Sequence, residues 1–192
     1  AMGAKVTIDE GYINAEAKKL RGATIRFDNV TVTGTENIMM AATLAKGTTI
    51  LENAAKEPEV SFLADVLNQS GARIEGAGTD IITIHGVTSL QPLRCRIFAD
   101  RIETATYMIA AALTQGQVEI HNCVPQHVEP LILKLREAGV GVDENGATLK
   151  ITHKGRLKSV SIKTQPYPGF ATDIQAQFMA LMCIAAGISV IT

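Results

Sequence analysis

The sequence predicts an α/β fold in which a βαβαββ unit recurs, with helices packed inside and sheets outside. A short motif recurs at a constant interval, amphipathic helix patterns precede it, and β-branched strands separate the helices. The motif is a glycine followed three residues later by a β-branched apolar residue, and it begins at Gly3, Gly71 and Gly139, 68 residues apart. Such self-similarity is the signature of a repeat architecture.

One helix of each unit lies directly upstream of the motif. Apolar residues at i, i+3, i+4 and i+7 predict amphipathic helices over 60–67 and 128–135. Each of these helices is expected to stop at the motif glycine, Gly71 or Gly139, and the chain then enters a strand.

The other helix of each unit is rich in alanine, and it is predicted over 35–45, 104–114 and 174–186. Small side chains let helix backbones approach closely, which favours an interior position. Each of these helices is expected to end at a glycine in the left-handed conformation. The three glycines are Gly47, Gly116 and Gly187.

The strands are short and β-branched, and those after the alanine-rich helices are predicted over 48–51, 117–120 and 188–191. A hairpin closes the unit, with strands at 72–75 and 81–85 around the turn at Gly76 and Gly78. The repeat is therefore present in nearly three copies, and the sequence is expected to be an internal stretch that starts and stops partway through a copy.

Composition excludes several classes of function. Hydrophobic residues make up 46%, and 18 Lys and Arg nearly balance 19 Asp and Glu, so no nucleic-acid partner is expected. No apolar run approaches the ~20 residues that cross a bilayer, so no membrane role is expected. The cysteines, Cys95, Cys123 and Cys183, form no CxxC pair, and the four histidines lack metal-ligand spacing. A soluble, cytoplasmic protein without a metal site is predicted.

Five segments together resemble the UDP-N-acetylglucosamine branch of the enolpyruvyl transferase family: 30–42, 52–59, 78–86, 100–104 and 166–178. The resemblance implies two domains, each an inside-out α/β barrel of three βαβαββ units, hinged around an active-site cleft. Residues 1–98 would then be the C-terminal part of the first domain, and residues 99–192 the first part of the second.

The resemblance also implies a reaction in the bacterial cytoplasm, the first committed step of peptidoglycan synthesis, on which cell-wall growth, shape and division depend. In that family the 3-hydroxyl of UDP-N-acetylglucosamine attacks the central carbon of phosphoenolpyruvate, and the tetrahedral intermediate expels phosphate. No metal or redox cofactor is used. The chemistry needs an acid for the methylene carbon, a carboxylate for the hydroxyl proton and cations for phosphate and carboxylate.

Several residues match the family's site. Asp173 matches the carboxylate that faces the 3-hydroxyl, although an Asp in the first turn of a helix also has an ordinary stabilising role. Arg101, beside Glu103, matches an arginine on the phosphoenolpyruvate side, and the alternative for it is a surface ion pair. Glu57 is a weaker candidate that lines the cleft, and it also suits an ordinary helix start.

The sugar nucleotide is expected at the turn formed by Asn29, Val30, Thr31, Val32 and Thr33, which matches the family's UDP-binding strand-to-helix turn. Backbone N–H groups at such a turn suit phosphate oxygens. The family commonly has Lys where this sequence has Asn29, so a direct ionic contact is not expected there.

The resemblance places the general-acid cysteine and several phosphoenolpyruvate-binding Lys and Arg residues outside this sequence. None of the three cysteines matches the surroundings of that acid. We therefore expect the polypeptide alone to lack transferase activity, and its unfinished units invite self-association.

Other functions stay open on the residues alone. The repeat is also compatible with a non-catalytic βαβ scaffold of the clamp or ring type, with the sister shikimate-pathway transferase, and with a nucleic-acid end-processing enzyme. The last of these would need a basic groove, which the near-neutral charge argues against.

Overall fold

The computed structural model describes all residues from 1 to 192, and the chain divides into two compact units, residues 1–95 and 96–192. Each unit is mixed α/β, with helices against one face of a small sheet. None of the three sheets closes into a barrel. None of the helices combines the length and apolar character needed to span a bilayer.

The first unit contains a separate hairpin and a four-stranded sheet in the order β3-β4-β6-β5. Strand β3 runs parallel to β4, and the other neighbours are antiparallel. Its elements are β1 (Lys5–Asp9), β2 (Tyr12–Glu16), β3 (Thr24–Arg26), α1 (Val32–Thr43), β4 (Thr48–Glu52), α2 (Pro58–Gln69), β5 (Arg73–Glu75) and β6 (Ile81–His85).

The core of this unit lies between the sheet and the two helices. Along β4 the alternate residues Thr49 and Leu51 are buried while Thr48 faces solvent, as expected for a strand covered on one face. Leu51 packs in one cluster with residues from α1, α2, β5 and β6. The helices are thus on one side of the sheet and solvent is on the other.

The second unit repeats this plan with an antiparallel sheet in the order β7-β9-β8. Its helices share one apolar cluster with the sheet, and Phe178 of α5 is fully buried there. Its elements are α3 (Arg101–Leu113), β7 (Gln117–His121), α4 (Glu129–Glu137), β8 (Gly141–Asn145), β9 (Thr148–Thr152) and α5 (Gln175–Met182), with 3₁₀ turns at Pro125–Val128 and Thr172–Ile174.

The amphipathic helices end as predicted. Gly71 follows α2 with φ +99°, and Gly139 follows α4 with φ +94°. In both places the glycine N–H and the next N–H bond back to carbonyls of the last turn, as in the first unit where Ala72 N donates to Leu67 O at 3.0 Å. This is the Schellman closure, which a glycine in the left-handed region favours.

The alanine-rich helices differ from the prediction. They begin earlier, at Val32 and Arg101, because Thr31 and Asp100 cap them, and the third helical stretch is shorter, with a 3₁₀ turn before α5. Gly47 and Gly187 have the expected positive φ, but the prediction that the helices end at these glycines is wrong, since α1 ends at Thr43 and α5 at Met182. The prediction for Gly116 is wrong, since Gln115 takes the left-handed conformation (φ 52°) and Gly116 N bonds to Ala111 O.

The strand predicted over 188–191 is also absent. This stretch instead makes one isolated parallel bridge, from Ile191 to Ile162. The Val190 N–H bonds to the Ser161 hydroxyl at 2.9 Å rather than to a strand carbonyl, which interrupts a regular ladder.

Candidate functional site

The carboxyl ends of β3 and β4 bring two loops together in the first unit. These strands are parallel, so the chain leaves both at the same edge of the sheet, where ligand sites of α/β folds commonly lie. The Asn53 side chain donates to Phe27 O at 2.9 Å, and Ala55 N donates to Thr35 Oγ1 at 3.1 Å. These bonds join the loop that enters α1 to the loop that enters α2.

The start of α1 is a neutral, tightly turned helix N-terminus. Thr31 is its N-cap, with Oγ1 accepting from Gly34 N at 3.2 Å, and Thr35 Oγ1 donates to Thr31 O at 2.7 Å. No acidic side chain lies in the first turn, and Asn29, Val30 and Thr33 are exposed. The turn therefore offers the positive end of a helix dipole to solvent.

Gly34 makes this turn possible. A Cβ at this position would lie 2.4 Å from Thr31 Cγ2 and 3.3 Å from the Phe27 ring. The glycine is therefore required by close packing of the cap against the first turn, without any unusual backbone angle.

Glu57 lies beside this turn, at the N-cap of α2 and directly before Pro58. Its side chain is buried, with 7% of its surface exposed. Burial, followed by the carboxylates of Glu59 and Glu57, raises the pKa of Glu36 on α1. The edge therefore carries a group of carboxyls, one of which holds its proton more readily than usual.

The second unit holds Asp173 and Arg101. Asp173 is exposed in the 3₁₀ turn before α5, and the preceding loop is closed by bonds from Gly169 N to Pro166 O (2.8 Å) and from Gln165 N to Phe170 O (2.9 Å). Phe170 anchors the loop through an edge-to-face contact with Phe178 at 5.3 Å.

Arg101 is the first residue of α3 and lies near this loop. It lines a small cavity with His127 and with loop residues Gly169, Ala171 and Ile174. The capping residue, Asp100, accepts from Ile102 N at 2.7 Å and from Glu103 N at 3.1 Å. The start of α3 therefore already carries a carboxylate of its own.

A larger cavity of about 730 Å³ lies elsewhere in the second unit, between the start of α3 and the end of β7. Its polar lining includes Arg96, Glu103, His121 and Asn122. Cys123 also borders this cavity and is buried, with Sγ contacts to the carbonyls of Ile120 (3.5 Å) and Ala147 (3.4 Å). Burial raises the pKa of the Cys123 thiol, which favours a protonated, structural side chain.

The structure thus groups the predicted site residues within each unit. Asn29 to Thr33 share an edge with Glu57, and Arg101 shares a cavity with the loop that carries Asp173. Sequence reasoning missed Glu36 and Asn53, whose roles depend on contacts across the fold. The one available signal was the Asn at the end of a strand, since Asn tolerates the positive φ of 58° found there. No group of three or more His, Cys, Asp or Glu side chains is arranged to hold a metal ion.

Curated proteins resemble this chain over its whole length. The UDP-N-acetylglucosamine 1-carboxyvinyltransferases of Geobacter metallireducens and Geotalea daltonii are 54% and 55% identical over 192 residues, which is 100% of this chain and 46% of each relative. The chain therefore spans about half the length of the curated relatives it matches.

Solved structures show the same fold at low identity. The enolpyruvyl transferase NikO from Streptomyces tendae matches with a TM-score of 0.83 at 23% identity, over 100% of this chain and 49% of that one. An EPSP synthase from Acinetobacter baumannii matches with a TM-score of 0.62 at 20% identity, over 100% and 46%. These likenesses confirm the predicted enolpyruvyl transferase-like fold class.

The family model described as EPSP synthase (3-phosphoshikimate 1-carboxyvinyltransferase) matches residues 1–192. This match covers both of the repeated units described above. The chain therefore belongs to this family of 1-carboxyvinyltransferases.

Proposed function

We propose that this chain is part of an enzyme that transfers the enolpyruvyl group of phosphoenolpyruvate to the 3-hydroxyl of UDP-N-acetylglucosamine. The hydroxyl oxygen bonds to the central carbon of phosphoenolpyruvate while the methylene carbon gains a proton. Loss of that proton and of phosphate then leaves the enolpyruvyl ether. The observation that carries this proposal is the 54% identity, along all 192 residues, to transferases named for this acceptor.

The first unit is assigned to nucleotide binding. The α1 N-terminus lacks an acidic side chain and presents an exposed turn at Asn29 to Thr33, which suits the phosphates of a UDP group. Asn29 supplies a hydrogen-bonding amide without a charge. Glu57, buried beside this turn, is assigned a separate role as a weaker candidate that lines the cleft.

The second unit is assigned to the chemistry. Asp173 is the carboxylate that takes the proton of the attacking hydroxyl, and its exposed position leaves it accessible to a substrate. Arg101 is assigned to the phosphoenolpyruvate side, where a guanidinium suits phosphate or carboxylate oxygens.

Calorimetric titration with UDP-N-acetylglucosamine tests the proposal most directly. A full-length enzyme that contains this sequence is expected to bind the sugar nucleotide, and shikimate 3-phosphate serves as the matched alternative acceptor. Heat with shikimate 3-phosphate alone would assign the protein to the sister reaction. No heat with either acceptor would favour the non-catalytic scaffold.

The 192-residue chain by itself is expected to release no phosphate from the two substrates, because none of its three cysteines matches the surroundings of the family's general-acid cysteine. Turnover near that of a full-length transferase would contradict this.

We place the reaction in the bacterial cytoplasm, in keeping with three free cysteines. Self-association of the chain is a further expectation, which light scattering after size exclusion checks.

A further inference from the structure

Apolar side chains seat helix α5 against the core of the second unit. Asp173 lies in the 3₁₀ turn Thr172–Ile174, which runs directly into this helix. Ile174 and Phe178 are 4% and 0% exposed, and both belong to the apolar cluster of the unit. Apolar contacts are non-directional, so they fix the depth of the helix better than its rotation. Fixing the direction of the Asp173 side chain therefore needs a directional contact in addition.

Such a contact joins α5 to α3, between Gln177 and Thr106. Gln177 Nε2 donates to Thr106 Oγ1 at 3.3 Å, although the two residues are 71 apart in sequence. Gln177 follows Asp173 by four residues, about one turn along the same helical stretch. The Thr106 hydroxyl donates in turn to Ile102 O at 2.8 Å, in the first turn of α3 beside Arg101. The contact therefore links the turn that holds Asp173 to the turn that holds Arg101.

These hydrogen bonds leave the carbonyl of the Gln177 side chain without a partner. The single proton of the Thr106 hydroxyl is used on Ile102 O, so the amide must turn its NH₂ group toward Thr106. Gln177 Oε1 is then buried and accepts no hydrogen bond. A buried carbonyl without a donor lowers the stability of the fold.

A glutamine is thus an unfavourable choice for folding at this position. A methionine has a similar length and would fill the space between the helices without burying an unpaired carbonyl. Thr106 would keep its bond to Ile102 O, so the exchange would leave no new group unsatisfied. Residues that lower stability without a local compensation occur mainly at functional sites.

We propose that Gln177 and Thr106 are positioning residues, which hold the Asp173 carboxylate in place relative to the Arg101 side of the site. The proposal rests on the proposed function, in which Asp173 takes the proton of the attacking hydroxyl. That transfer needs a separation of about 2.6–3.2 Å between the two oxygens. Displacement of a reacting group by about 1 Å lowers the rate by about 100-fold. Without the bond, α5 rests on apolar contacts alone, and the carboxylate reaches this separation less often.

The test uses a full-length enzyme that contains this sequence. Gln177→Met is expected to lower kcat for phosphate release by about tenfold. The KM for UDP-N-acetylglucosamine should change by less than about twofold, because the nucleotide is assigned to the first unit. The midpoint of urea denaturation should stay the same or rise, because the substitution removes a buried, unpaired carbonyl.

Thr106 provides an independent pair of variants. Thr106→Val removes the acceptor and should lower kcat to the same extent as Gln177→Met, whereas Thr106→Ser retains the hydroxyl and should keep most of the parental kcat. The double variant with Thr106→Val and Gln177→Met should lose no more than either single variant, because both remove the same bond. Gln175→Met is the matched control on α5, since Gln175 lies outside this contact.

Two results would overturn the proposal. One is a kcat unchanged by Gln177→Met, and the other is a loss of kcat accompanied by a lower urea midpoint, which would show a structural contact only. Asp173→Asn distinguishes these results from a failure of the proposed function. If Asp173→Asn also leaves kcat unchanged, the assigned proton acceptor is wrong, whereas a loss in Asp173→Asn alone refutes only the positioning role.

Discussion

Helices α1 and α3 occupy equivalent places in the two units, yet their first turns differ in charge. Thr31 caps α1 with a neutral hydroxyl, whereas Asp100 caps α3 with a carboxylate that takes two backbone N–H groups. The start of α1 is therefore suited to binding an anion, whereas the start of α3 already holds the Asp100 carboxylate. The repeat supplies the same scaffold twice, and a single capping residue decides whether a helix start is available to a ligand.

The largest expected effect tests the proposed roles of the two units, nucleotide binding in the first and proton transfer in the second. Asp173→Asn, in a full-length enzyme containing this sequence, should lower kcat by about 10²–10⁴-fold, because the attacking hydroxyl loses its proton acceptor. The KM for UDP-N-acetylglucosamine should change little if the first unit binds the nucleotide. Steady-state phosphate release measures both. The control is Asp143→Asn on β8, and a kcat unchanged by Asp173→Asn would refute the assignment.

Gly34→Ala tests the packing of the α1 start. The added methyl group meets Thr31 Cγ2, so the free energy of unfolding should fall by about 1–3 kcal/mol. Thr31→Ser removes that methyl contact while keeping the capping hydroxyl, so the double variant should recover most of the loss. Urea denaturation gives both values. Equal losses in the single and double variants would show that the clash lies elsewhere.

Thr31→Asp makes the α1 start resemble that of α3. The new carboxylate should occupy the first-turn N–H groups and repel phosphate, which weakens UDP-N-acetylglucosamine binding by about tenfold or more. Calorimetry on the full-length enzyme provides the affinity, and Thr31→Ser is the matched variant that retains a neutral cap. Unchanged affinity in Thr31→Asp would exclude this turn as the phosphate site.

Asp100→Ala tests the opposite role of the α3 start. The variant loses two hydrogen bonds to the first turn and should unfold about 1 kcal/mol more easily. Asp100→Ser retains a capping oxygen and should be closer to the parent in thermal denaturation. A stability unaffected by Asp100→Ala would mean that the cap contributes nothing to the helix.

Local signals explain which parts of the fold were predictable. The ends of α2 and α4 were predicted because Gly71 and Gly139 close their helices through bonds within a few residues. The start of α1 was placed three residues late, because the periodic apolar stripe begins after the Thr31 cap. The expectation that a glycine takes the left-handed conformation after each helix fails at Gly116, because Gln115 takes this conformation one residue earlier.

The candidate site was predictable only in part. The resemblance directed attention to the turn at Thr31 and to Glu57, but the bond from Ala55 N to Thr35 Oγ1 that joins their loops links residues 20 apart in sequence. The proximity of Glu36 to Glu57 and Glu59 has the same tertiary origin. A single sequence contains no pattern that reports such contacts.

Glu36→Gln gives the smallest effect and probes the charge at the α1 edge. The pKa of Glu36 is raised in the folded chain, mainly by burial and then by Glu59 and Glu57. The folded state therefore loses stability as the pH rises from the ordinary pKa of a glutamate through this raised value, because the carboxyl must ionise where ionisation is disfavoured. Glu36→Gln should stabilise the protein modestly at neutral pH, and the gain should vanish near about pH 3, where the carboxyl is protonated in both states.

Thermal denaturation across this pH range measures the difference, with Glu75→Gln on the exposed face of β5 as a control for the change in net charge. If the stabilisation by Glu36→Gln were as large at acidic pH as at neutral pH, the substitution would act through packing rather than charge. The difference in charge between the starts of α1 and α3 would then depend on the capping residues alone.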